Sequence, residues 1–249
     1  MWYDKGINEK GKTVWTMRER LKSVIDFILP KYAYVPIVAA VGTNMLVYFA
    51  TKPFVSQAEH YDLSIFIDDR LPFVPFFILF YVLAYLQWAW HYIYHYRKSR
   101  EDCYHYATAD VIAKLLCLVF FLALPAEIER PTLTGDGFWE YLTGLIYAAD
   151  SPHNLFPSIH CLASWLCFRS ALEIKTAPRW YAPAQLVFSL LVFASTVLVK
   201  QHFFVDIFAG IAVVEIAWFL SRRLRLWRVF EKIELPFVRR ADTNLKKDG

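Results

Sequence analysis

Two histidines and an aspartate in the second half of the 249-residue chain have the types and spacing for phosphoryl transfer. His202 and Asp206 stand four apart, so on a helix they lie one above the other, roughly 5–6 Å between Cβ atoms. A carboxylate there can accept a hydrogen bond from one imidazole nitrogen, fix the tautomer and leave the other nitrogen free to attack. His160 follows Pro157-Ser158-Ile159, a helix start where Ser158 can cap and free backbone N–H groups can receive an oxyanion. Arg130, in Glu129-Arg130-Pro131, adds a planar fork of donors matched to phosphate oxygens. Such a set needs no metal and no other cofactor to transfer a phosphoryl group.

The elements that must position these groups are membrane spans. Apolar residues make up 57% of the chain and aromatic residues 18%, against 20% charged, a balance foreign to a soluble domain. Crossing a bilayer takes roughly 20 residues of helix. Apolar blocks approaching that length occur at Tyr32–Ala50, Leu71–Tyr92, Ala107–Leu124, Phe156–Leu172, Trp180–Val199 and Phe203–Leu220. The spacing predicts an all-α membrane bundle of six transmembrane helices.

Charge sets its orientation. With a cytoplasmic amino terminus, the cytoplasmic segments hold twenty-one Lys and Arg, while the outer loops hold only Lys52, Arg70, Arg130 and Lys200. This asymmetry puts both termini in the cytoplasm and the polar clusters around Arg130, His160 and His202 on the non-cytoplasmic side. The net charge of +4 thus follows from topology and does not point to nucleic acid. Residues 1–31 read as a cytoplasmic segment in which Val14, Met17, Leu21, Val24, Ile25 and Ile28 share one side of an interfacial amphipathic helix that Pro30 ends. Residues 32–221 form the membrane domain and 222–249 a basic cytoplasmic tail. The charged amino-terminal stretch is too long and polar for a cleavable signal peptide. With no organelle address visible, a bacterial plasma membrane is the expected location.

The clusters resemble the type-2 phosphatidic acid phosphatase superfamily, whose signatures are K-x6-R-P, P-S-G-H and S-R-x5-H-x3-D. Pro157-Ser158-Ile159-His160 is similar to the second, with Ile159 at the glycine position, and His202-x3-Asp206 to the third, with Ser195 at its serine. The resemblance implies that His202 forms a phosphohistidine, that Asp206 orients it, and that His160 protonates the leaving oxygen. Arg130 and Ser158, with nearby backbone N–H groups, would hold the phosphate. The chain departs from the family pattern at two cations: Ala123 occupies the lysine position and Thr196 the arginine position. Lys114 is about 24 Å of helix away from Arg130 and cannot substitute. Lys200 is either a replacement charge near His202 or a solvated loop residue. These departures, and the stretch Asp68-Asp69-Arg70-Leu71-Pro72-Phe73, resemble the branch that includes inositol phosphorylceramide synthase.

The expected function is therefore a membrane lipid phosphate phosphatase, the bilayer itself presenting the substrate. A lipid headgroup phosphotransferase using the same residues is the alternative, and a non-catalytic lipid-binding membrane protein the rival from another class. Single signals also have plain readings: H-x3-D arises by chance on helices, Pro-Ser-x-His can be only a capped start, and Arg130 can snorkel. His91, His95 and His105 read as interfacial aromatic-belt residues rather than as a di-iron site. His153 is either a headgroup contact or an exposed loop residue, and Glu127 and Glu129 flank Arg130 without an assigned role. Cys103, Cys117, Cys161 and Cys167 show neither disulfide nor metal spacing.

Overall fold

An apolar layer offers backbone groups no solvent partner, so a crossing segment must satisfy its N–H and C=O groups internally, as a helix does. The computed structural model describes residues 28–150 and 153–233, together with 6–7, 13–14, 16–17 and 24. Its helices are α1 (Tyr34–Val55), α2 (Phe66–Arg70), α3 (Ile78–Tyr96), α4 (Arg100–Ala123), α5 (Phe138–Ala149), α6 (Ile159–Ala171), α7 (Tyr181–Leu198) and α8 (Phe204–Arg223). Strand pairing among the described residues is limited to a two-residue antiparallel match of Gly6–Ile7 with Thr13–Val14 and an isolated parallel bridge between Tyr61 and Ala126.

Five segments are long and apolar enough to cross a membrane: Lys31–Val55, Pro75–Tyr96, Arg100–Ala123, Tyr181–Leu198 and Phe204–Arg223. The fourth expected span folds as α6, whose 13 residues give about 20 Å of helix against an apolar core of about 30 Å. Helix α5 was not expected, because its 12 residues fall below the length of a span. The third expected span starts earlier than its apolar run suggests. Ser99 caps α4, its Oγ accepting the Asp102 N–H at 3.0 Å, and Glu101 and Asp102 suit the positive end of the helix dipole. The amino-terminal amphipathic helix and most of the carboxy-terminal tail lie outside the described residues.

Helix α4 is the hub: it packs on α1 and α8, while α6 packs on α7 and α8, and α3 on α6 and α7. Large apolar side chains such as Val38, Phe49, Leu86, Trp90, Phe208 and Phe219 are exposed on the outside of the bundle, the arrangement of a protein whose solvent is lipid. Polar groups pair inside it. Gln87 Nε2 donates to Gln185 Oε1 at 2.9 Å, Trp88 Nε1 to Ser164 Oγ at 3.0 Å, and Ser189 Oγ to the Ser164 carbonyl at 2.7 Å. Lys114 donates to Asp110 Oδ2 at 2.7 Å and to the Ala40 carbonyl of α1 at 3.1 Å, and Tyr92 OH of α3 donates to the same carboxylate oxygen.

His91 and His95 are not belt residues. Both are buried, His91 bonding Tyr181 OH at 2.9 Å and Ser170 Oγ at 2.7 Å, and His95 the Asp102 carbonyl at 3.2 Å. Their i, i+4 spacing reads equally as a stripe facing the lipid interface or one facing neighbouring helices, and partners on α6 and α7 decide for the second. All four cysteines are buried.

Helices α6 and α8 approach each other closely at Gly210. A Cβ there would lie 3.1 Å from the Leu162 backbone nitrogen and 3.2 Å from Cys161 Cβ, tighter than ordinary contact. Gly210→Val is expected to force the two helices apart, lowering stability by about 1–3 kcal/mol, as overpacking does. A thermal melt of the purified protein in detergent checks this, and an unchanged melting temperature would show that the approach at Gly210 is not needed.

Candidate active site

The site forms where the carboxyl end of α4 and the amino ends of α6 and α8 converge. Its second histidine is set by the start of α8. The Thr196 carbonyl near the end of α7 accepts the backbone N–H groups of Gln201 at 3.0 Å and His202 at 3.1 Å, pinning the turn between the two helices. Asp206 then does two things with one oxygen: Oδ2 accepts the Phe203 N–H at 3.1 Å and lies 3.1 Å from His202 Nδ1. The carboxylate thus satisfies an orphan donor of the helix start and turns the imidazole so that Nε2 points away from it. Asp206 is fully buried and His202 nearly so.

His160 sits in the first turn of α6, which Ser158 caps by accepting the Cys161 N–H at 3.3 Å. Its ring stacks on Tyr81 of α3 with centroids 3.8 Å apart, and Trp88 (5.0 Å) and Tyr85 (5.4 Å) close it in. The His160 and His202 centroids are 6.2 Å apart. His160 Nε2 is buried and has no hydrogen-bond partner among the described residues.

Arg130 stands at the mouth. Nη1 donates to the carbonyls of Tyr147 at 3.0 Å and Asp150 at 2.9 Å, and Nη2 donates to Gln201 Oε1. The guanidinium also lies over the Tyr147 ring at 4.5 Å. Of its five N–H groups, three are used, which leaves the Nε–H and one Nη2–H for an anion; Nε is buried without a partner among the described residues. Burial lowers the pKa of Arg130 from its ordinary value, and the nearby Asp150 carboxylate pulls it back up. The same burial raises the Tyr147 hydroxyl to about 12, so it stays a neutral donor, here to the Val199 carbonyl at 2.6 Å.

Three residues in this frame were not expected. Gln201 ties Arg130 to the loop that carries His202. Asp150 holds Arg130 through its carbonyl, while its carboxylate accepts from Tyr48 OH of α1 at 3.0 Å and Tyr81 OH at 3.2 Å. Tyr81 in turn carries the His160 ring. No local motif announces them, although Gln201 lies beside His202.

Lys200 is partly buried, and its Nζ donates to the Asp68 carbonyl at 2.8 Å. The Asp68 side chain caps two starts, accepting the Ile65 N–H of α2 at 2.9 Å and the Phe204 N–H of α8 at 2.7 Å. Asp68 therefore braces the start of α8 from outside. Beyond it opens a cavity of about 840 Å³, which Arg130, Lys200, Asp68, Asp69, Glu127 and Glu129 help to line and which stops short of both site histidines. Ala123, at the position of the absent lysine, is exposed at the end of α4, and the Thr196 hydroxyl is turned back to the Phe193 carbonyl at 2.8 Å.

Among known proteins, the sequence model of the PAP2 superfamily matches residues 62–220, which hold every group of this site. Neither the curated proteins nor the solved structures yield a match. Arg130→Lys is expected to weaken binding of inorganic phosphate or vanadate about tenfold, because a lysine cannot serve three protein acceptors and still offer a fork. Titration followed by a thermal-shift signal measures it; unchanged affinity would remove Arg130 from anion binding.

Proposed function

Because the chain belongs to the PAP2 superfamily and is built from long apolar helices, we propose that it is an integral membrane lipid phosphate phosphatase working through a phosphohistidine. The observation that carries this reading is the His202 Nδ1 to Asp206 Oδ2 contact at 3.1 Å, with the His160 ring alongside. It is the arrangement a nucleophile, its orienter and a proton donor require.

The reaction then runs in two displacements. His202 Nε2 attacks phosphorus, the P–O bond to the lipid breaks, and His160 gives its proton to the departing oxygen. In the second step His160 takes a proton from water, the water oxygen attacks phosphorus, the P–N bond breaks and phosphate leaves. Asp206 stabilises the positive ring of His202 through both steps. The two unclaimed N–H groups of Arg130, with Ser158 and the amino end of α6, meet the charge on the equatorial oxygens. Lys200 contributes positive potential from the rim.

In this reading α6 completes a sixth crossing, its ends extended by the loops that flank it. The site faces the non-cytoplasmic side of a plasma membrane, bacterial in our assignment, and both termini face the cytoplasm. Lipid phosphate enters laterally from the leaflet that the site adjoins.

A transferase reading is favoured by one feature, the acidic part of the outer cavity. Asp68, Asp69, Glu127 and Glu129 line it beside Arg130 and Lys200, and carboxylates accept hydrogen bonds from the hydroxyls of a polyol headgroup. A second lipid's hydroxyl arriving there takes the place of water in the second step.

The test uses purified protein in detergent with phosphatidic acid, a polyprenyl diphosphate and phosphatidylglycerol phosphate, with and without a hydroxyl-bearing acceptor lipid. Phosphate release that is lost in His202→Ala, with an acid-labile phosphoenzyme trapped from the wild type alone, is the expected result. Phosphorylated acceptor without free phosphate selects the transferase, and no phosphoenzyme from any substrate leaves the lipid-binding reading. Asp206→Asn is expected to keep the fold but cut turnover about 10³-fold, since an amide presents the wrong partner to the imidazole; single-turnover rates measure this.

A further inference from the structure

Outside the phosphate site, three side chains converge that the mechanism does not use. The segments around Tyr61 and Ala126 pair as parallel strands, Tyr61 N donating to the Pro125 carbonyl at 2.8 Å and Glu127 N to the Tyr61 carbonyl at 3.3 Å. That pairing sets His60 beside Glu127, with His60 Nδ1 3.3 Å from Glu127 Oε2. His153 comes from a third segment and stacks on His60, centroids 4.4 Å apart and planes 14° from parallel, with its Nδ1 3.9 Å from the same oxygen. Two imidazoles face to face this closely repel if both carry charge, so at least one keeps a lone pair. His153 Nδ1 is buried and makes no hydrogen bond among the described residues.

We propose that His60, Glu127 and His153 form a binding site for a divalent transition-metal cation, best matched by Zn²⁺, that clamps the three outer segments framing Arg130. One ligand atom from each residue lies within 4.8 Å of the others. A tetrahedral zinc site with bonds of about 2.0–2.1 Å needs ligands about 3.3 Å apart, so closure asks for little more than side-chain rotation. Two imidazoles and one carboxylate suit zinc, and three protein ligands leave a position for water or another oxygen donor. The connection to Arg130 is covalent and short. Glu127 precedes it by three residues, and His153 follows by three the Asp150 whose carbonyl holds its guanidinium. His60 and Glu127 line the outer cavity that Arg130 also reaches. A cation there fixes the loops that aim the arginine and adds positive charge on the side of the site where Ala123 supplies none.

The test needs no turnover, so its failure is separate from failure of the phosphatase reading. The purified full chain is stripped with a chelator, loaded with ZnCl₂, desalted and assayed for metal, alongside His60→Ala, Glu127→Gln and His153→Asn. One zinc retained per wild-type chain, a rise in melting temperature of about 5 °C, and loss of both in each variant are expected. Loading with Co²⁺ should give a d–d absorption band that the variants lack. Variants whose metal-free melting temperature equals that of the wild type serve as the folded controls. No retained zinc in the wild type, or equal retention in the variants, overturns the proposal.

Discussion

A polar group carried into an apolar layer must find its partner within the chain, and in this protein that demand sets most of what surrounds the site. Asp206 is its sharpest expression. A carboxylate buried among apolar helices is costly when alone, and it is stabilised here by two donors, the Phe203 N–H and the His202 ring. The helix start and the orientation of the His202 ring are one arrangement. Neither exists without the other.

The same demand reaches outward in stages. The Thr196 carbonyl lies at the end of a helix and would lack a partner; it takes the N–H groups of Gln201 and His202 and so fixes the approach to α8. The Asp68 carboxylate does for Phe204 what Asp206 does for Phe203. Arg130 is shared among two carbonyls and an amide from α5 and the turn before α8. Its remaining donors are presented rigidly because the others are committed. Close packing of α6 on α8 at Gly210 then brings two separately built histidines to within 6.2 Å, centroid to centroid.

How much of this could be read in advance follows from the range of each interaction. His202 and Asp206 are one helical turn apart, and Ser158 caps its own helix, so spacing alone revealed them. Arg130 was visible as a charge beside a proline at the end of an apolar run. Gln201, Asp150 and Tyr81 were hidden because their contacts join residues 71, 20 and 69 positions apart, distances at which no periodicity speaks. Hydropathy found the five long crossing helices. In the fourth apolar block Pro157 and Ser158 set the helix start three residues in, so α6 is shorter than the block itself, and hydropathy passed over α5, whose run is apolar but short. His91 and His95 misled because lipid interface and polar helix contact demand the same spacing. Lys200 was placed in the right loop, but its reach toward α2 depends on a segment 132 residues away.

The Lys114–Asp110 pair in the middle of α4 bears on how the chain is made. As an i, i+4 couple the two charges neutralise one another within a single helix, so α4 can partition into a bilayer at less expense than two isolated ions. The couple is still incomplete by itself, since the ammonium also relies on the Ala40 carbonyl and the carboxylate on the Tyr92 hydroxyl. Helices α1 and α3 both precede α4 from the amino terminus, so the partners are already synthesised when the charged pair emerges. Biogenesis in chain order therefore never leaves α4 waiting in lipid for groups not yet made, because the two long helices that precede it, α1 and α3, carry the partners its charges need.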